Sequence, residues 1–99
     1  MKIEKQEVES IDVSICGWNG TNEFKEFKSK FGLTSNEAIA ITLYYKKDRD
    51  IAHWQKQITE SRISMMYADS AQARSWDQRD INNYIDYINA ITTYMLDGE

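Results

Sequence analysis

The sequence contains no proline, one cysteine, one histidine and only four glycines. A lone cysteine excludes an internal disulfide, so no covalent staple holds the fold. No run of about 18 apolar residues occurs, so no segment reads as a membrane span. The opening MKIEKQEVES carries charge where a secretory signal needs an apolar stretch. A soluble, cytoplasmic protein is therefore expected. From Leu33 to Asp97 neither Gly nor Pro interrupts the chain, and such a gap in the usual breakers predicts helices.

What is present makes a single domain over residues 1–99. A 41% hydrophobic and 12% aromatic composition is too rich for disorder, and 99 residues rarely divide into two cores. Sixteen acidic side chains outnumber twelve basic ones, giving a net charge of −4. Most of the excess falls after residue 50. General nucleic-acid binding needs clustered Lys and Arg against phosphate, and this balance argues against it.

The pattern predicts a mainly α fold, α+β at most, with residues 1–20 as a strand-and-turn extension and 21–97 as a helical core. Ile11, Val13 and Ile15 alternate with Asp12, Ser14 and Cys16, which predicts a short strand. Gly17-Trp18-Asn19-Gly20 is turn chemistry. Phe24, Phe27 and Phe31 share one face of a helix over about 21–31, capped by Thr21 or Asn22 and stopped by Gly32. Thr34 and Glu37 form a capping box opening a second helix. That helix is expected to run unbroken to about Tyr67, although Asp48 or Asp50 offers a restart. Residues 69–76 read as the main connection. Ser75 or Asp77 would then cap a third helix whose stripe is Ile81, Tyr84, Ile85, Ile88, Ile91, Thr92 and Met95, with Asp77 and Asp80 in its first turn and Gly98 beyond its end. The two long helices are expected to pair antiparallel, with the Phe helix closing one end.

Little in the chain points to catalysis, metal or cofactor binding. His53 has only Asp50 and Gln57 at helical spacing, which is at most a weak metal pair. Cys16 has no adjacent base to lower its pKa. The pairs Asp48/Asp50 and Asp77/Asp80 are explained by helix capping. A non-enzymatic protein without cofactor is expected.

Surface chemistry remains. Nine Trp and Tyr residues in a chain this short are a large stock of the side chains that interfaces favour. Trp18, Trp76, Tyr84, Tyr87 and Tyr94 are the candidate partner-binding aromatics, with Asp77, Asp80 and Asp86 as the acidic contacts of the second half. Tyr87 and Tyr94 lie off the centre of the isoleucine stripe, where a protein partner or a second copy would reach them.

The order of features from Glu60 to Ile91 is informative. Arg62-Ile63-Ser64-Met65-Met66-Tyr67 leads through Asp69-Ser70 and Arg74-Ser75-Trp76 into Asp80-Ile81-Asn82-Asn83-Tyr84-Ile85. This run resembles short head–tail joining proteins of tailed phages, the W-type head-completion family. Asp80-Ile81 and Tyr84-Ile85 match that family's helix start, and Arg74-Ser75 its preceding polar run. The family's hairpin glycine is missing here, and the first 33 residues have no counterpart in its shortest members. The resemblance implies a non-enzymatic virion component assembling as a ring between portal and tail. The alternative expectation is a small acidic phage-encoded inhibitor, of anti-defence or immunity type, that blocks a basic host surface.

Overall fold

A computed structural model of the protein describes residues 2–96 and places four α-helices, with no β-strand among the described residues. α1 spans Asn22–Phe31, α2 Ser35–Lys47, α3 Ile51–Met66 and α4 Ala71–Ile91, and α4 continues into a π-helical turn at Thr92–Leu96. The mainly α class holds. Gly98, expected as a helix stop, lies outside the described residues, as does Asp97.

Four side-chain oxygens punctuate a chain that lacks proline. Thr21, Thr34, Asp50 and Ser70 each accept the backbone N–H three residues on, from Phe24, Glu37, His53 and Ala73, at 3.4, 3.2, 2.9 and 3.1 Å. Each satisfies a donor that the first helical turn leaves orphaned. The Thr34 cap is reciprocal, because the Glu37 carboxylate accepts the Thr34 N–H at 2.8 Å. At the other end of α1, left-handed Gly32 and the 2.9 Å bond from the Leu33 N–H to the Lys28 carbonyl close the helix.

Three expectations are corrected. The helix from Ser35 to Tyr67 is two helices, broken where Asp48 takes a left-handed conformation (φ 55°) and the Asp50 carboxylate captures the His53 N–H. Two short acidic side chains compete with the helix for its own backbone there, and Lys47, Asp48, Arg49 and Asp50 bury no apolar group that would hold it straight. The last helix begins at Ala71 and is capped by Ser70, not by Ser75 or Asp77. Asp77 and Asp80 are thus interior residues of α4, and the connection shrinks to residues 67–70.

The strand at 11–15 is also absent. The Asp12 carboxylate accepts both the N–H and the hydroxyl of Ser14, and the Trp18 N–H donates to the Ile15 carbonyl at 3.2 Å. These turns curl the segment before it can extend. Of its three alternating residues Ile11 is buried, Val13 partly so, and Ile15 stands half exposed.

Residues 2–20 are no loose extension. Ile3, Val8 and Ile11 are buried with Phe24, Phe27, Leu33, Ala38, Ala40, Ile41, Ala90, Ile91 and Met95 in one core. The Ile3 N–H donates to the Tyr94 carbonyl at 3.2 Å, and the Tyr45 hydroxyl donates to the Ile3 carbonyl at 2.7 Å. Lys46 reaches the Glu9 carbonyl at 2.9 Å, and Lys30 pairs with Glu7 at 2.7 Å. α1 packs on this segment and on α2, as the expectation of a closing Phe helix requires. α2 and α3 both lie along α4, α3 antiparallel to it. The molecule measures 43 × 30 × 21 Å.

Candidate functional site

Burial along α3 and α4 is uneven. Their buried residues are Trp54, Ile58, Ile81, Ala90 and Ile91, so no residue from 59 to 80 is buried. This stretch is a two-helix arm extending beyond the core. Its partly buried positions are Ser61, Met65, Ala68, Ala73, Asp77 and Asp80, which recur at three- and four-residue spacing on the sides where the helices meet. A seam of small and polar residues with one methionine buries little apolar area.

The large apolar residues of the arm point outward. Ile63 is 51% exposed, Met66 77%, Tyr67 78% and Trp76 53%. The turn joining the helices is nonetheless tightly hydrogen-bonded. The N–H groups of Tyr67 and Ala68 donate to the carbonyls of Ser64 and Met65, and the Arg74 guanidinium donates to the Ala68 carbonyl at 3.3 Å.

Register explains why Trp76 is bare. At 3.6 residues per turn Trp76 shares a stripe of α4 with Asn83, Tyr87 and Ala90. Near Asn83 that stripe is covered by α2, whose first-turn Asn36 donates to Asn83 Oδ1 at 3.2 Å and to Asp86 Oδ2 at 3.0 Å. α2 begins at Ser35 and reaches no further. Trp76 lies seven residues on, about 10 Å along the helix, where the covering layer has ended.

The other aromatics expected to meet a partner are engaged within the fold. Trp54 stacks on Tyr84 with ring centroids 5.8 Å apart and meets Tyr87 at 4.9 Å, with His53 edge-on at 4.8 Å. Burial, then the neighbouring Tyr84 and the carboxylates of Asp80 and Asp86, raises the Tyr87 phenol above its ordinary pKa. Burial likewise raises Tyr84, followed by the charges of Asp80 and Glu60. Trp18 sits edge-on against Phe24 at 5.3 Å, and Tyr94 packs on the core with Glu37 beside its phenol. Asp86 tethers α2, while Asp77 and Asp80 line the seam of the arm. Of the aromatics singled out from sequence, only Trp76 is largely bare.

Ile63, Met66 and Tyr67 were not among those residues. Their signal is an apolar triplet at i, i+3 and i+4 set off from the inward positions 54, 58, 61 and 65. A second signal is cation choice. Every lysine lies at or before Lys56, whereas the arm carries Arg62, Arg74 and Arg79. Arg, Met and aromatic residues are enriched in interface cores, where Lys is depleted.

At the base, a surface depression of about 300 Å³ is lined by Lys5, Tyr44, Tyr45, Asp48 and Asp50. Its Tyr45 hydroxyl is already spent on Ile3. Among the described residues no group of three His, Cys, Asp or Glu side chains is placed to hold a metal ion, and no helix is long and apolar enough to cross a membrane. No protein-family model, curated protein or solved structure matches the chain.

Proposed function

We propose that the chain is a non-enzymatic protein–protein interaction module that works through the α3–α4 arm. One observation carries this: no residue from 59 to 80 is fully buried, yet Ile63, Met66, Tyr67 and Trp76 are directed at solvent from a firmly hydrogen-bonded hairpin. Exposed apolar side chains gathered on one projection mark contact sites. The run 60–91 that resembles head–tail joining proteins covers this arm from Glu60 and the whole of α4, and its specific form of the proposal is a structural component of a tailed-phage particle, in the virion or assembling in the host cytoplasm. Where the resemblance puts a β-hairpin, this chain has the four-residue turn 67–70.

Site-specific photo-crosslinking in the native cell tests the proposal. A photoreactive residue at Met66 should give protein adducts, and one at Glu26 on α1 should give none. Adducts from the α1 position alone would move the contact surface to the base and end this reading.

A further inference from the structure

We propose that Asn19–Gly20 is a self-modifying site, at which the asparagine amide turns to a carboxylate without any enzyme whenever the turn around it opens. The site lies at the base and is independent of the arm.

Asn19 is the one asparagine of the chain followed by glycine. The reaction begins when a backbone amide nitrogen attacks the side-chain Cγ of the asparagine before it. A new Cγ–N bond forms, the bond from Cγ to the side-chain nitrogen breaks, and ammonia leaves with the proton of the attacking nitrogen. The product is a cyclic succinimide. Water then opens the ring at either carbonyl and gives aspartate or isoaspartate. At the other five asparagines the attacking nitrogen belongs to Glu23, Glu37, Asn83, Tyr84 or Ala90, whose Cβ crowds the approach. Gly20 has no Cβ. Asn19 and Gly20 are both exposed, so water reaches the ring.

In the folded chain the attacking nitrogen is engaged. Trp18–Gly20 is a 3₁₀ turn that follows left-handed Gly17 (φ 80°), and the Gly20 N–H donates to the Gly17 carbonyl at 2.9 Å. The Trp18 carbonyl accepts the Thr21 N–H at 3.1 Å and the Thr21 hydroxyl at 2.7 Å. Such turns hold ψ at about −20 to −30°, which keeps the Gly20 nitrogen away from Asn19 Cγ. Ring closure needs ψ to swing out of that range, and the three bonds resist the rotation. Both ends are pinned, Trp18 edge-on to Phe24 at 5.3 Å and Thr21 as the cap of α1. Each conversion therefore records an opening of residues 17–21. It adds a negative charge to a chain of net charge −4, and as isoaspartate it lengthens the backbone inside the turn by one carbon.

Peptide mass spectrometry of the purified full chain, held in mildly alkaline buffer with and without guanidinium chloride, tests this. In denaturant the mass gain of amide-to-acid conversion should fall on Asn19 ahead of every other asparagine. In the native chain it should be slower by about tenfold or more, because reaction waits on local opening. An added Cβ at Gly20 meets nothing within 4 Å, so Gly20→Ala keeps the fold. By crowding the nitrogen it should slow conversion in denaturant by about tenfold. Gly17→Ala puts a side chain on left-handed backbone and favours the open turn. It should quicken conversion in the native chain about fivefold or more and leave the rate in denaturant unchanged. Equal rates in the native and denatured samples overturn the inference, as does conversion elsewhere ahead of Asn19. So does a Gly20→Ala chain that converts like wild type, or a native Gly17→Ala chain that converts no faster.

Discussion

The base and the arm are built from the same two helices and obey opposite rules. At the base α4 contributes Ala90 and Ile91 to a closed interior shared with α2 and the segment from Ile3 to Ile11. Two turns from Asn83 toward the start of α4 the cover of α2 has ended and only α3 remains alongside, and the stripe that carried Tyr87 inward carries Trp76 into water. A helix face has no fixed fate of its own; it becomes core or contact surface according to what is laid on it.

The largest test of that difference is the loss of a base side chain. Ile91 is 1% exposed, and Ile91→Ala should cost about 2–5 kcal/mol in urea denaturation. A loss below about 1 kcal/mol would mean that the base is not a closed core. The sharper comparison pairs two aromatics on one stripe. Tyr87→Ala removes a ring packed on Trp54 and should cost about 1–3 kcal/mol, while Trp76→Ala removes a larger ring and should cost less than about 0.5 kcal/mol in a dilute sample. Equal losses would show that Trp76 is held within its own chain. Thr34→Ala, which deletes the capping box at the start of α2, should cost about 1 kcal/mol in the same measurement.

The smallest effect concerns pH. Burial, ahead of the charge of Arg49, lowers His53 below its ordinary pKa of about 6.5. As pH falls through that value the unfolded chain takes up a proton before the folded one does, so stability drops. It is fully present above the ordinary value and levels off below the depressed one. Melting temperature followed downward from neutral pH should show this step in the wild type, and His53→Gln should flatten it. A step of equal size in the variant would assign it to other groups.

Local chemistry was the most legible part of the fold. The Thr34–Glu37 box, the Thr21 cap and the Gly32 stop are decided within four or five residues, and all three form as expected. The break at Asp48–Asp50 was offered by the same chemistry, yet the apolar positions on either side read equally well as one continuous helix. Ser70 was overlooked as a cap because the apolar period pauses between Asp69 and Trp76. On the arm that pause is the very sign of a helix with no core to face. The Ile11–Ile15 alternation misled for a different reason: side-chain capture by Asp12 outweighs a pattern only five residues long.

The arm itself was hidden for a physical reason. Apolar residues at helical spacing look alike whether or not another element covers them. Tyr87 has Trp54 of α3 and the start of α2 beside it, whereas Trp76 lies beyond the point where α2 begins at Ser35, and no local pattern records how far a neighbouring helix reaches. The shift from lysine to arginine after Lys56 is a sequence signal that went unread and could have found it.

That shift has a practical side. All eight lysines lie between Lys2 and Lys56, so amine-reactive reagents will attach the molecule to a bead or a sensor chip by its base. Immobilised in this way it stands with residues 59–80 facing the solution, oriented without any engineered tag.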